Sequence, residues 1–204
     1  MLEAVDLAAV RGDRRLFAGL GFSLLEGELL HVHGVNGSGK TTLLRMLCGL
    51  VVPEEGRILW EGKDIRSERE AYLRNLVYLG HLGALKGDLT GVENLRITET
   101  LAGEAVTEDQ AMAALQDVGL HGHEDLPVRV LSQGQRRRVA LARLALSQAG
   151  LWILDEPFTA LDKASVAALR ARLENHLKQG GMVILTTHQE IDIDTALVKQ
   201  VALG

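Results

Sequence analysis

A chain of 204 residues, 47% hydrophobic and 24% charged, is long enough for one large domain with a substantial buried core. Its formal charge of −5, with no long Lys/Arg tract, argues against a dedicated nucleic-acid surface. No apolar run approaches the roughly 20 residues that span a bilayer, Met1 to Asp6 carry acids where a signal peptide carries bases, and the single cysteine, Cys48, excludes an internal disulfide.

In chain order, residues 1–27 alternate in strand fashion, with turns at Gly12-Asp13 and Glu26-Gly27. The apolar run Leu29 to Val32 predicts a strand. His31 and His33 alternate along it and share one face, so they are expected to be buried, neutral and hydrogen-bonded. Gly34-Val35-Asn36-Gly37-Ser38-Gly39-Lys40-Thr41-Thr42 follows and fits G-x-x-x-x-G-K-[ST] at every required position. Glycines let a backbone wrap a triphosphate closely, and the N–H groups of the loop and of the helix predicted over 42–49 face phosphate oxygens. Gly34, Asn36, Gly37, Ser38, Gly39, Lys40, Thr41 and Thr42 are therefore the candidate set for binding a nucleoside triphosphate. Lys40 reaches for the β- and γ-phosphates and Thr41 for Mg²⁺. Cys48 reads as a packed, reduced thiol on that helix.

Residues 56–62 predict a strand closed by a turn, and 76–79 another short strand. The pattern then turns helical from 91 to about 130, clearest over 110–118, with Gly119 as a stop. His121 and His123, in a glycine-containing loop, read as exposed polar residues. A helix over 133–148 opens with Arg136-Arg137-Arg138. That run is either a solvated face, the preferred reading, or a group near phosphate or a partner. A strand over 151–154, a helix over 163–178 and a last buried strand over 182–186 complete the pattern. Continuous apolar strands separated by helices predict an α/β fold with a parallel sheet covered on both faces. On such a sheet ligands gather at the C-terminal strand ends, where the phosphate loop, Asp155 and His188 fall. The chain is read as one domain over 1–204, with a helical lobe at about 91–135 inserted in the core.

Asp155 and Glu156 end an apolar strand as adjacent carboxylates with separable tasks. Asp155 is placed to hold Mg²⁺, and Glu156 to polarise an attacking water, a general-base contribution of about 10²–10⁴-fold. His188 follows the strand over 182–186, with Glu190 nearby, and its imidazole can orient water and sense a γ-phosphate.

Leu131-Ser132-Gln133-Gly134-Gln135, followed by Arg136 to Arg143, resembles the signature of the ATP-binding subunits of ABC transporters, usually Leu-Ser-Gly-Gly-Gln. Gln133 departs mildly from it. Ala160-Leu161-Asp162 is similar to the D-loop of that family and Thr187-His188 to its switch histidine. The resemblance implies a P-loop core with an N-terminal antiparallel β subdomain and a helical lobe. It also implies two ATP molecules sandwiched in a head-to-tail dimer, with Ser132, Gly134, Gln135 and Asp162 completing the site of the second copy. The family's metal-touching glutamine is absent from Gly80-His81-Leu82-Gly83-Ala84; His81 is its proposed stand-in, the alternative being that the contact is missing and hydrolysis slow. The family's adenine-stacking aromatic is absent from Val10 to Arg15, which makes Arg11 the candidate, with Arg14 or Arg15 able to do the same. The runs 151–163 and 181–189 and the Gly80-His81 loop are together similar to one subgroup, the ATP-binding subunits of the haem exporter of bacterial cytochrome c maturation. That similarity implies a peripheral subunit on the cytoplasmic face of the bacterial inner membrane, docked on integral membrane subunits. There, ATP hydrolysis drives release of a haem-loaded chaperone. The alternatives are the ATP-binding subunit of another ABC exporter and a stand-alone, non-transport ABC ATPase; a third class, a nucleotide switch, needs neither Glu156 nor His188, and both argue against it.

Overall fold

The computed structural model describes residues 1–80, 84–189, 193 and 197–204. The elements run β1 (Leu2–Arg11), β2 (Arg14–Leu24), β3 (Glu28–Gly34), α1 (Lys40–Leu47), β4 (Glu55–Trp60), β5 (Lys63–Asp64), α2 (Arg69–Arg74) and β6 (Leu76–Leu79). They continue with α3 (Gly91–Leu101), α4 (Glu108–Asp117), a 3-10 turn (Val128–Val130), α5 (Gln133–Leu146), β7 (Leu151–Asp155), α6 (Lys163–Lys178), β8 (Met182–Thr186) and β9 (Leu197–Leu203). The chain divides into two compact units, Met1–Tyr78 with Ala149–Glu156 and Leu173–Gly204, and Leu79–Gln148 with Pro157–Arg172.

In the first unit, β2-β1-β4-β5 form one sheet, antiparallel throughout, and β6-β7-β8-β3-β9 a second. β3 pairs in parallel with both β8 and β9, and β7 with β8. The two-residue turn at Gly12-Asp13 joins β1 to β2, with Gly12 at φ +60°. Leu30 and Val32, on one face of β3, share a fully buried cluster with Leu43, Leu44 and Leu47 of α1. Each such side chain contributes about 1.5–3 kcal/mol relative to exposure. That packing fixes the helix to the strand, and so fixes the loop between them. Cys48 is buried in the same cluster, and desolvation raises its thiol pKa well above the usual range, as expected of a packed thiol.

The sheet has one strand more than the sequence predicts. β9 lies beyond β3 in parallel register, Gly34 opposite Leu203, so 182–186 is not the last strand. Leu197 and Val198 are exposed and only Val201 and Leu203 are buried, so β9 lacks the continuous apolar run of a central strand.

His176 stacks on Trp152 with centroids 3.7 Å apart and rings inclined by 6°. Its Nε2–H donates to the Gly150 carbonyl at 3.2 Å. Burial pushes the imidazole pKa down, outweighing the Gly150 and Met182 carbonyls that raise it. Between the folded and unfolded pKa the unfolded chain binds the extra proton. Stability is therefore full above about pH 6.5 and is lost as pH falls through the folded value. Denaturant midpoints followed by tryptophan fluorescence at pH 7.5 and 5.5 should fall with pH, and His176→Phe should flatten that dependence.

In the second unit α3, α4 and α5 pack around Leu95, Leu115, Leu120 and Val139. Each of the three helices opens with a reciprocal capping box, Thr90 with Glu93, Thr107 with Gln110 and Ser132 with Gln135. Gly119, at φ +77°, follows the cap residue of α4, as the predicted stop requires. Glu99, almost fully buried, is neutralised by Arg143 Nε at 2.8 Å. The unit takes in the 91–135 segment and continues through α5.

Candidate functional site

The phosphate loop joins the C-terminal end of β3 to α1. Gly34 has φ +149°, and a Cβ there would stand 2.1 Å from the Leu203 carbonyl oxygen and 2.7 Å from Ser38 Oγ. Gly37 and Gly39 are also left-handed, at +82° and +106°. Gly39 caps α1 without a side-chain bond, and no acid occupies the helix's first turn, formed by Lys40, Thr41 and Thr42. The N–H groups of that turn are thus available to an anion. Lys40 Nζ donates to the carbonyls of Gly34 at 2.8 Å and Val35 at 3.2 Å, lying back across the loop, while Val35, Asn36 and Gly37 are exposed. Ser38 Oγ is buried and has no hydrogen-bond partner among the described residues. A buried hydroxyl without a partner is costly, so the loop fits a phosphate ligand that supplies one.

The carboxylates stand at the end of β7. Buried Asp155 accepts from Thr41 Oγ1 at 2.8 Å through Oδ2 and from Thr186 Oγ1 at 2.7 Å through Oδ1. The Thr186 hydroxyl in turn accepts the backbone N–H of Glu156 at 2.9 Å. Glu156 has φ +49°, a conformation non-glycine residues hold only where the surroundings enforce it. The turn aims its carboxylate toward His188, whose Nε2 lies 3.4 Å from Glu156 Oε1. Thr41, Asp155, Thr186, Glu156 and His188 thus form one connected line of polar contacts. Thr186 is the member that sequence reasoning missed. Its only signal is that it ends an apolar strand as Asp155 does, and their pairing depends on the β7–β8 register.

The signature residues are a group within the second unit. Ser132 Oγ accepts from the Gln135 N–H at 3.2 Å and Ser132 N–H donates to Gln135 Oε1 at 2.8 Å, which orders the start of α5. A Cβ on Gly134 would lie 2.7 Å from the carbonyl oxygen of Ala160, itself at φ +64°, so glycine is required where α5 meets the segment before α6. Asp162 Oδ1 accepts from the Ser165 N–H at 2.8 Å, and the bonds to Ser165 hold its carboxyl below the usual range.

The solvated-face reading of the arginine run holds for exposed Arg136 but fails at Arg137. Arg137 is buried, donating to the carbonyls of Gly80 at 3.0 Å and Pro157 at 3.2 Å. It ties the loop after β6 to the loop after Glu156. Arg136 and Arg138 bond the carbonyls of Leu131, Arg129 and Gly119. Helix periodicity left Arg137 looking exposed because its carbonyl acceptors lie far away in sequence. His81 and Glu190 lie outside the described residues. Arg11 and Arg14 are exposed at the β1–β2 turn, and Arg15 faces Glu55 at 3.8 Å. Two residues beyond Arg15, Phe17 lies against the phosphate loop, its ring carbons 3.2 Å from where a Cβ on Gly39 would stand. His121 is exposed and its carbonyl meets His123 Nδ1 at 3.0 Å. Among the described residues no helix is long and apolar enough to cross a membrane.

Residues 17–159 match the family model described as ABC transporter. The chain is 56% identical to the "Cytochrome c biogenesis ATP-binding export protein CcmA" of Nitrosomonas europaea, covering 100% of this chain and 96% of that protein. A solved structure titled as a putative ABC transporter ATP-binding protein from Pyrococcus furiosus superposes with TM-score 0.83 at 27% identity, covering 99% of this chain and 96% of that one. A dimeric bacterial ABC transporter cassette shares the fold at 20% identity, with TM-score 0.85 and coverage of 99% and 94%. The chain belongs to the ABC transporter family, among its ATP-binding proteins of the CcmA type.

Proposed function

We propose that this chain is the ATP-hydrolysing subunit of an exporter serving c-type cytochrome biogenesis, the haem exporter, and that it releases the haem-loaded chaperone. The observation that carries the hydrolytic reading is the line from Thr41 through Asp155, Thr186 and Glu156 to His188. The relative's name supports the cytochrome assignment.

In this reading the Gly34, Gly37 and Gly39 backbone cradles ATP, and Lys40 leaves its two loop carbonyls to bind the β- and γ-phosphates. Thr41 and Asp155, whose oxygens are 2.8 Å apart, are the pair that would hold Mg²⁺, which supplies charge neutralisation at the transferring phosphate. Glu156 takes the proton of the attacking water and His188 orients that water. Arg11 stacks on the base, with Phe17 as an apolar neighbour at Gly39. Ser132, Gly134, Gln135 and Asp162 meet the nucleotide of a second copy of the chain, and His81 stands in for the family's loop glutamine. The pair of copies docks on integral membrane subunits at the cytoplasmic face.

The test is ATP turnover of the purified chain, alone and reconstituted with the membrane subunits of a cytochrome c biogenesis exporter. Stimulation by those subunits is expected. Equal turnover in both samples would favour a stand-alone ATPase.

A further inference from the structure

We infer that His31 is a positioning residue for ATP hydrolysis, holding the turn that carries His188. This rests on the hydrolytic reading above, in which His188 faces Glu156.

His31 lies on β3 opposite Leu185, one position before the pair Val32 and Thr186. Its face of the strand is the one not packed on α1. The ring reaches past the end of β8, with Nε2 3.2 Å from the carbonyl oxygen of Thr187. A carbonyl only accepts, so Nε2 carries the proton and donates. Thr187 is itself buried, and its Oγ1 accepts from the Gln189 N–H at 3.0 Å, closing a turn around His188.

Each neighbour of His188 on its N-terminal side is therefore pinned by a different group. Thr186 is fixed by Asp155 and by the Glu156 N–H, and Thr187 by His31. The first anchor belongs to the strand carrying the carboxylates. The second belongs to the strand that runs on into Gly34. His31 thus keys the histidine turn to the phosphate loop through a single side chain, and the 3.4 Å approach of His188 to Glu156 depends on both anchors. The ionisable groups facing His31 are His33, with ring centroids 5.5 Å apart, and Glu156. Burial holds the imidazole below its ordinary pKa, so the ring is neutral at pH 7.

Leucine at 31 fills similar space and donates nothing, whereas glutamine retains an N–H at comparable reach. Steady-state ATPase of the full chain should show His31→Leu losing about 3- to 10-fold in kcat, the worth of one hydrogen bond. KM for ATP and equilibrium nucleotide binding should be unchanged, and His31→Gln should restore most of the rate. Unchanged kcat in His31→Leu, or equal loss in the Leu and Gln variants, would overturn the inference. If His31→Leu does not fold, His31→Asn, polar but too short to reach Thr187, takes its place with the same expectations. Glu156→Gln assayed in parallel separates the two failures. Full turnover in that variant removes the hydrolytic reading itself, while its loss beside an unaffected His31→Leu removes only the role of His31.

Discussion

Glu156→Gln is expected to lower ATP turnover by about 10²–10⁴-fold while leaving nucleotide binding intact, the range a general base contributes. The substitution is nearly isosteric. The contact that sets the backbone of residue 156 is its own N–H to Thr186 Oγ1, which a glutamine retains, and the left-handed φ of +49° is no harder for glutamine than for glutamate. Asp155 and Thr41 keep their 2.8 Å contact, so the phosphate end of the site is untouched. What disappears is the proton acceptor. ATP then binds and persists, and if two copies close on two nucleotides, the variant accumulates as an ATP-bound dimer. Sedimentation with and without ATP reads this directly. An ATP-bound monomer would contradict the sandwich arrangement, and unimpaired turnover would remove Glu156 from the chemistry.

The elements that were legible in the sequence are those whose signal is local. The glycines and lysine of the phosphate loop sit within nine residues, and the acids end an apolar run that reads as a strand on its own. α4 and α6 announce themselves by periodicity and by Gly119. What escaped depends on register or on distant partners. Thr186 became a site residue only through its position opposite Asp155 in parallel strands. Arg137 looked like one of three surface arginines, but its acceptors are Gly80 and Pro157, far away in sequence. Phe17 is separated from Gly39 by a strand and a turn, and only the packing of β2 brings its ring to the loop. β9 was missed because an edge strand with exposed Leu197 and Val198 carries no continuous apolar signature. His31 was read correctly as a histidine needing a partner. That the partner is the residue beside His188 follows from the β3–β8 pairing alone.

That missed strand also sets the second large effect. Gly34→Ala is expected to cost on the order of 3 kcal/mol or more in stability and to abolish ATP binding, combining overpacking with backbone strain. An alanine Cβ would sit 2.1 Å from the Leu203 carbonyl oxygen, a backbone atom of the strand paired with β3. Relief therefore requires β9 to part from β3 at the Gly34–Leu203 position or the loop to lift away. The second choice displaces Ser38, whose Oγ would lie 2.7 Å from the new carbon, and moves the Gly34 carbonyl that now receives Lys40. Either way the N–H groups no longer converge on one phosphate. Gly37→Ala supplies the contrast: its φ of +82° carries strain, yet a Cβ there meets nothing within 4 Å. The cost should be limited to about 1–2 kcal/mol, that of a left-handed non-glycine residue. Denaturant unfolding and nucleotide titration of the two variants side by side decide between crowding and conformation. Equal losses would mean that backbone conformation alone sets the demand for glycine. A much larger loss at Gly34 would show that the edge strand holds the phosphate loop in its binding shape.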